Sequence, residues 1–270
     1  MSGLAEAVAA GRFVLTTSLG TLGGVGPDEL RRRLRTVREG FAFVKFGDNP
    51  RARARPSPWA AAAVALAEGL EPVVHVTCRD RNRLALRSDL AGGRLLGVAN
   101  VLCLRGDEIE TSDDPDARAV RDLDVLDLIR LAREDYHVIA ACDPNAGDAQ
   151  FDRLRAKLDA GAAMLESQPV FDGERFAEWL GRLRAAGIEA PVLVDVSVVT
   201  TPEEAELLGR IPFIRPPDGL EAAVRRDPEA GIALAAEVAA AVRKLPGVAG
   251  CHLSTIRGDP EAVLAVAEML

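Results

Sequence analysis

Two apolar runs of this chain end in groups that could bind and polarise a ligand. Pro72–Val76 leads into Thr77-Cys78-Arg79-Asp80, and Val98–Leu104 leads into Arg105-Gly106-Asp107. Buried parallel strands are near-continuous apolar runs, and α/β enzymes gather their chemistry where such strands end. An imidazole (His75), a hydroxyl (Thr77) and a carboxylate (Asp107) lie at or near adjacent strand ends, where an α/β enzyme keeps its site.

Side chains alternate along a strand, so parity sorts the polar groups further. Val74, Val76 and Cys78 share one face of their run, and His75 and Thr77 share the other. The apolar face should meet helices, which turns His75 and Thr77 inward. By the same parity Glu166 pairs with Gln168, Asp195 with Ser197, and His252 with Ser254. Lys45, Asp48, His75, Thr77, Asp107, Glu166, Gln168, Asp195 and His252 are therefore expected at one mouth. A single buried histidine is more often a satisfied core residue than a catalyst. Convergence from several strands reverses that, because burying many polar groups without a ligand or water is expensive.

The elements that must position these groups recur in strict alternation. Strand-like runs are predicted at Phe13–Thr17, Phe41–Phe46, Val73–Thr77, Val98–Leu104, His137–Ala141, Ala162–Gln168, Pro191–Val198 and Gly250–Thr255. Amphipathic stretches follow at Pro27–Glu39, Pro58–Glu68, Arg81–Leu90, Val120–Arg133, Phe151–Ala160, Glu174–Ala186 and Ala230–Leu245, with Pro260–Leu270 at the end. Proline in the first turn and glycine after the last punctuate many of them. Alternating βα units favour right-handed crossovers and a parallel sheet. Eight of them in 270 residues, with no break, predict one domain over residues 1–270, a single (β/α)8 TIM barrel. Gly20–Gly26 lacks the spacing of a dinucleotide fingerprint and is expected as a flexible loop over the mouth. Asp107–Ala119 reads as a solvated acidic loop, and Leu220–Arg226 as a short helix with no assigned role.

Composition narrows the function. A net charge of −8 argues against a nucleic-acid partner, which needs a basic face. No apolar stretch is long enough to span a bilayer, and the start, MSGLAEAVAAGRF, lacks the basic-then-apolar order of a signal peptide. Cys78, Cys103, Cys142 and Cys251 lie far apart without CxxC spacing, so no metal site is expected and reduced thiols in a cytoplasmic protein are.

At HVTCRDRNR, LCLRGD and KLDAGAAMLESQPVFD the chain resembles the methylenetetrahydrofolate reductases, collinearly from roughly Phe41 onward. The resemblance implies a flavin-containing (β/α)8 barrel that reduces 5,10-methylenetetrahydrofolate to the 5-methyl form, with FAD as cofactor and NAD(P)H as donor. It implies that His75, Thr77, Arg105, Asp107 and Lys157 line the cofactor pocket, and that Asp107, Gln168 and His252 contact the folate. Asp107 would then also serve catalysis, favouring a cationic iminium and disfavouring negative charge on a reduced flavin.

Two departures matter. The family carries a glutamate at the end of the first strand, whereas Thr17 or Ser18 occupies that place here, and a hydroxyl is no acid near neutral pH. Cys142-Asp143 stands where many members have an aromatic residue covering the flavin. Direct hydride transfer without flavin is then open. Glu166, with Asp195 as second choice, is expected to supply the missing acid. Two other functions keep the pterin contacts: a folate-dependent methyltransferase, and a non-catalytic folate-binding subunit of a one-carbon complex. Self-association or a one-carbon protein partner is compatible with each.

Overall fold

The structure is a computed structural model that describes residues 2–211 and 214–270; Met1 lies outside it. Eight strands form at β1 Val14–Ser18, β2 Phe43–Phe46, β3 Glu71–Thr77, β4 Asn100–Leu104, β5 His137–Cys142, β6 Met164–Ser167, β7 Val192–Ser197 and β8 Val248–Ser254. Each pairs in parallel with the next, and β8 returns to β1 to close the barrel. The chain is the (β/α)8 barrel that the alternation of apolar runs predicts.

The helices are α1 Gly3–Ala9, α2 Pro27–Val37, α3 Pro58–Ala67, α4 Arg83–Leu96, α5 Val125–Ala132, α6 Phe151–Ala160, α7 Gly173–Ala185, α8 Pro202–Gly209, α9 Leu220–Arg226, α10 Glu229–Arg243 and α11 Pro260–Glu268. α5 starts later than its amphipathic pattern, because the Asp124 carboxylate accepts from the Asp127 amide and sets the N-cap there. α4 runs on past Leu90, through Gly92 and Gly93, to stop at Gly97 with φ of 86°. α8 is an addition to the predicted helices, although Thr201 capping the Glu204 amide, with Pro202 behind it, is a legible start.

α1 is the other addition, and it closes the barrel floor. Glu71, at the start of β3, accepts from the Gly3 amide at 3.0 Å and from the Asn100 side chain at 2.6 Å. A carboxylate on the first amides of a helix satisfies donors that the helix itself leaves free. Leu4 and Ala7 then pack on Val14, Phe43, Val73, Leu102, Ile139, Met164 and Leu193, the apolar layer inside the barrel. A larger apolar layer lies between strands and outer helices, with Trp179, Phe176 and Phe46 fully buried in it.

One side-chain step above the inner apolar layer, every strand that contributes to it carries a different residue. The step runs from Val14, Phe43, Val73, Leu102, Ile139, Met164 and Leu193 to Thr16, Lys45, His75, Leu104, Ala141, Glu166 and Asp195. The interior therefore changes from apolar to largely polar within a single layer. Among the described residues no helix is long and apolar enough to cross a membrane.

Two neighbouring glycines of α4 test the outer layer. A β-carbon on Gly93 would lie 2.1 Å from Trp59 and 2.7 Å from the Tyr136 hydroxyl, whereas one on Gly92 meets nothing within 4 Å. Gly92→Ala is expected to raise unfolding free energy by up to about 1 kcal/mol, and Gly93→Ala to lower it by about 1–3 kcal/mol, in denaturant titration.

Candidate active site

The polar layer contains a buried ion pair. Lys45, 1% exposed, donates to the Glu166 carboxylate, itself 5% exposed, across the barrel from β2 to β6. Asp195 on β7 faces the same interior and accepts from the Ser254 hydroxyl at 3.3 Å. His252 Nδ1 lies 2.9 Å from the Thr16 hydroxyl, and His75 Nε2 has no hydrogen-bond partner.

The charges follow from this geometry. Lys45 and Glu166 form a pair of zero net charge wherever their shared proton sits. Asp195 has no cation of its own, and burial, then the nearby Glu166, pushes its carboxyl up to about 7. Burial also lowers the lysine, against the pull of Glu166 and Asp195. His75 is brought down to about 3 by burial and then by Lys45, and His252 falls well below its ordinary value for the same reasons. Both imidazoles are therefore neutral at physiological pH. The interior holds a neutral ion pair, two neutral rings and one protonatable carboxyl.

Of the cavities at the carboxyl ends of the strands, two reach this polar layer. One, of about 330 Å³, is lined by Asp48, His75, Thr77, Arg105, Asp107, Arg153, Lys157 and Gln168. The other, of about 300 Å³, is lined by Ser18, Lys45, Asp195, His252 and Ser254, with Leu207, Leu208, Ile211 and Ile256 as an apolar wall. Gly47, Pro50 and His75 belong to both, so the cavities adjoin at the unpartnered imidazole. Thr21, in the glycine-rich segment, rims the second cavity. That segment sits over the mouth, but Leu19 and Leu22 are buried, and the Gly20 backbone abuts that of Ile256–Gly258, so it is a packed loop.

The expected site residues thus divide. In the first cavity Thr77 is held by Asp48, whose carboxylate accepts from its amide at 2.8 Å and its hydroxyl at 3.0 Å, while Arg81 pairs with that carboxylate. Lys157 donates to the Ala141 carbonyl at 2.6 Å from a half-buried position. Burial, then Arg153, lowers its ammonium. Asp107 is exposed and accepts from the Arg51 amide at 2.5 Å. Arg105 is also exposed and pairs with Glu108 at 2.7 Å. Gln168 lines the wall, its backbone N–H donating to the Cys142 carbonyl at 2.9 Å.

His252 and Asp195 lie at the second cavity. Glu166 does not line either one: its carboxylate is spent on Lys45 beneath the cavity floor. Arg153 was not among the residues expected here, although its place one helical turn before Lys157 was a usable signal. Ser254 as a partner for Asp195 follows from strand register, which sequence spacing does not give.

Residues 24–270 match the family model described as "Methylenetetrahydrofolate reductase". A relative named 5,10-methylenetetrahydrofolate reductase, from Pectobacterium carotovorum subsp. carotovorum, is 28% identical over 242 residues, 83% of this chain and 78% of that protein. One of the same name from Salmonella typhimurium is 28% identical over 193 residues, covering 68% of this chain and 63% of its own. A probable methylenetetrahydrofolate reductase (NADPH) from Caenorhabditis elegans is matched over 23% of its length, so this chain spans only a fraction of that longer relative. Among solved structures, an uncharacterised Clostridium thermocellum protein that binds two copies of 5-methyl-5,6,7,8-tetrahydrofolic acid superposes with a TM-score of 0.69 at 10% identity, over 98% of this chain and 97% of its own. At that identity the likeness is one of fold.

The ion pair has a measurable consequence. Glu166→Gln strands a buried ammonium and is expected to cost roughly 3–5 kcal/mol in thermal or denaturant unfolding, whereas the double substitution Lys45→Met/Glu166→Leu recovers most of it.

Proposed function

The chain belongs to the methylenetetrahydrofolate reductase family, and from that premise we propose that it reduces 5,10-methylenetetrahydrofolate to 5-methyltetrahydrofolate with NAD(P)H. The observation that carries the proposal is the pair of adjoining cavities with His75 between them. A hydride must pass between two rings in contact, and a neutral imidazole at the seam can hydrogen-bond either ring without adding charge.

In this reading the first cavity takes the nucleotide. Arg153 and Lys157 offer cations to its phosphates, and the orphaned His75 Nε2 offers a polar contact to its ring. Arg105 and Thr77 complete that wall, and Asp107 stands at its rim. These groups fit the phosphates and ring edge of a flavin as well as those of a nicotinamide. A flavin bound there would relay two electrons from the nicotinamide to the folate. Among the described residues His75 is the one aromatic side chain in the cavity lining, so a tricyclic flavin would find no Phe, Tyr or Trp there to stack on.

The second cavity takes the reacting end of the folate. Its apolar wall of Leu207, Leu208 and Ile211 suits the flat face of a pterin, and His252 and Gln168 offer donors and acceptors to its edge. Asp107 places a carboxylate at the mouth that favours a cationic substrate. Four buried, unpaired cysteines support a reducing, cytoplasmic setting for the reaction.

Purified protein is expected to oxidise NADH or NADPH only when methylenetetrahydrofolate is added, with 5-methyltetrahydrofolate as product. Visible flavin absorbance that NADH bleaches and the folate restores identifies the relay; colourless active protein identifies direct transfer. Lys157→Met is expected to weaken nucleotide binding roughly ten- to hundredfold, read as NADH affinity or flavin content. Protein that binds folate yet oxidises neither dinucleotide contradicts the proposal and leaves the methyltransferase or binding-subunit roles.

A further inference from the structure

Resting on that reading, we infer that Asp195 is the proton donor that opens the methylene bridge of the folate, with Ser254 positioning its carboxyl. The bridge carbon is bonded to N5 and N10, and hydride can add only after one of these bonds breaks. Breaking the carbon–N10 bond expels an amine nitrogen, which needs a proton as it leaves. The N5 lone pair forms the second bond to carbon, giving a cationic iminium. Asp195 transfers its proton to N10 and becomes a carboxylate beside that cation, which it stabilises. The dihydronicotinamide supplies the hydride that converts the iminium to N5-methyl and is itself oxidised. Solvent then reprotonates Asp195.

The geometry selects this residue. Asp195 is the one carboxyl lining the second cavity among the described residues. It is accessible from that cavity, and Ser254 holds one of its oxygens at 3.3 Å. Glu166, the residue expected from sequence to be the acid, is turned to Lys45 and does not reach either cavity wall. The hydroxyls at the end of β1 are no acids near neutral pH. The charged and titratable groups around Asp195 come from every side of the interior: Lys45 from β2, His75 from β3, Glu166 from β6 and His252 from β8. Together they leave Asp195 as the carboxyl without a counterion, so it holds its proton to about pH 7.

The sign of the pH effect follows. The protonated form is the active one, so turnover should fall as pH rises through about 7. The test compares Asp195→Asn with the unaltered protein in NAD(P)H-dependent reduction of methylenetetrahydrofolate, alongside binding of 5-methyltetrahydrofolate. The amide variant is expected to lose roughly 10²–10⁴-fold in kcat, to bind the methyl product within about threefold of normal, and to lose the decline above neutral pH. An unaltered protein that does not reduce the folate overturns the reductase reading and this inference with it. An active protein whose Asp195→Asn variant stays within tenfold overturns the inference alone. So does an unaltered protein whose kcat/KM shows no decline well above neutral pH, a result that does not depend on the variant folding.

Discussion

A lysine and a glutamate from opposite sides of the barrel share one buried contact, and the electrostatics of the whole interior depend on it. Taking a single charge out of water at that depth costs several kcal/mol, so Lys45 could not sit at 1% exposure without Glu166. The pairing has a second effect. It engages the Glu166 carboxylate and leaves Asp195, on the next strand, as a carboxyl with no ion-pair partner of its own. His75 and His252 are kept neutral by the same enclosure and by the same lysine. Burial first, and this contact second, set which groups of the layer are charged and which are neutral.

The barrel supplies that layer through simple periodicity. Side chains two residues apart on a strand point the same way and differ in height by one layer. The lower layer is apolar and is sealed by α1, whose first amides are tied to Glu71. The upper layer opens onto two cavities, and the loop that follows β1 is packed at the rim of the second. The lower layer is packed and the upper borders open cavities, which is the condition for a proton donor that must be both shifted and accessible. Stability and chemistry divide along the same line: the lower layer holds the fold, and the upper layer spends part of that stability on buried charge.

Much of this was legible in the sequence. Apolar runs separated by capped amphipathic stretches give all eight strands and the closed barrel, because the hydrophobic patterns of a buried strand and an outer helix differ in period. Parity placed His75, Glu166, Asp195 and His252 inside. Which of them pair was not legible. Lys45 and Glu166 are 121 residues apart and meet only because the barrel closes, and the choice of Glu166 over Asp195 depends on side-chain reach across the interior. That is why Glu166, chosen on parity, proves to be Lys45's partner while Asp195 faces the cavity. α1 was missed for a related reason. At seven residues, its one strong local signal is Ser2 capping the Ala5 amide, and its stability comes from the strand ends it covers.

The proposed chemistry depends on where the Asp195 proton sits. Carbon-13 NMR of protein labelled at the aspartate side-chain carboxyls, with the Asp195 resonance assigned by its loss in Asp195→Asn, reads this directly across a pH series. That resonance is expected to show a protonated carboxyl below neutrality and to titrate with a midpoint near 7. An Asp195 resonance that is already a carboxylate at pH values ordinary for a solvent-exposed aspartate, about 4 to 5, would contradict the proposed chemistry.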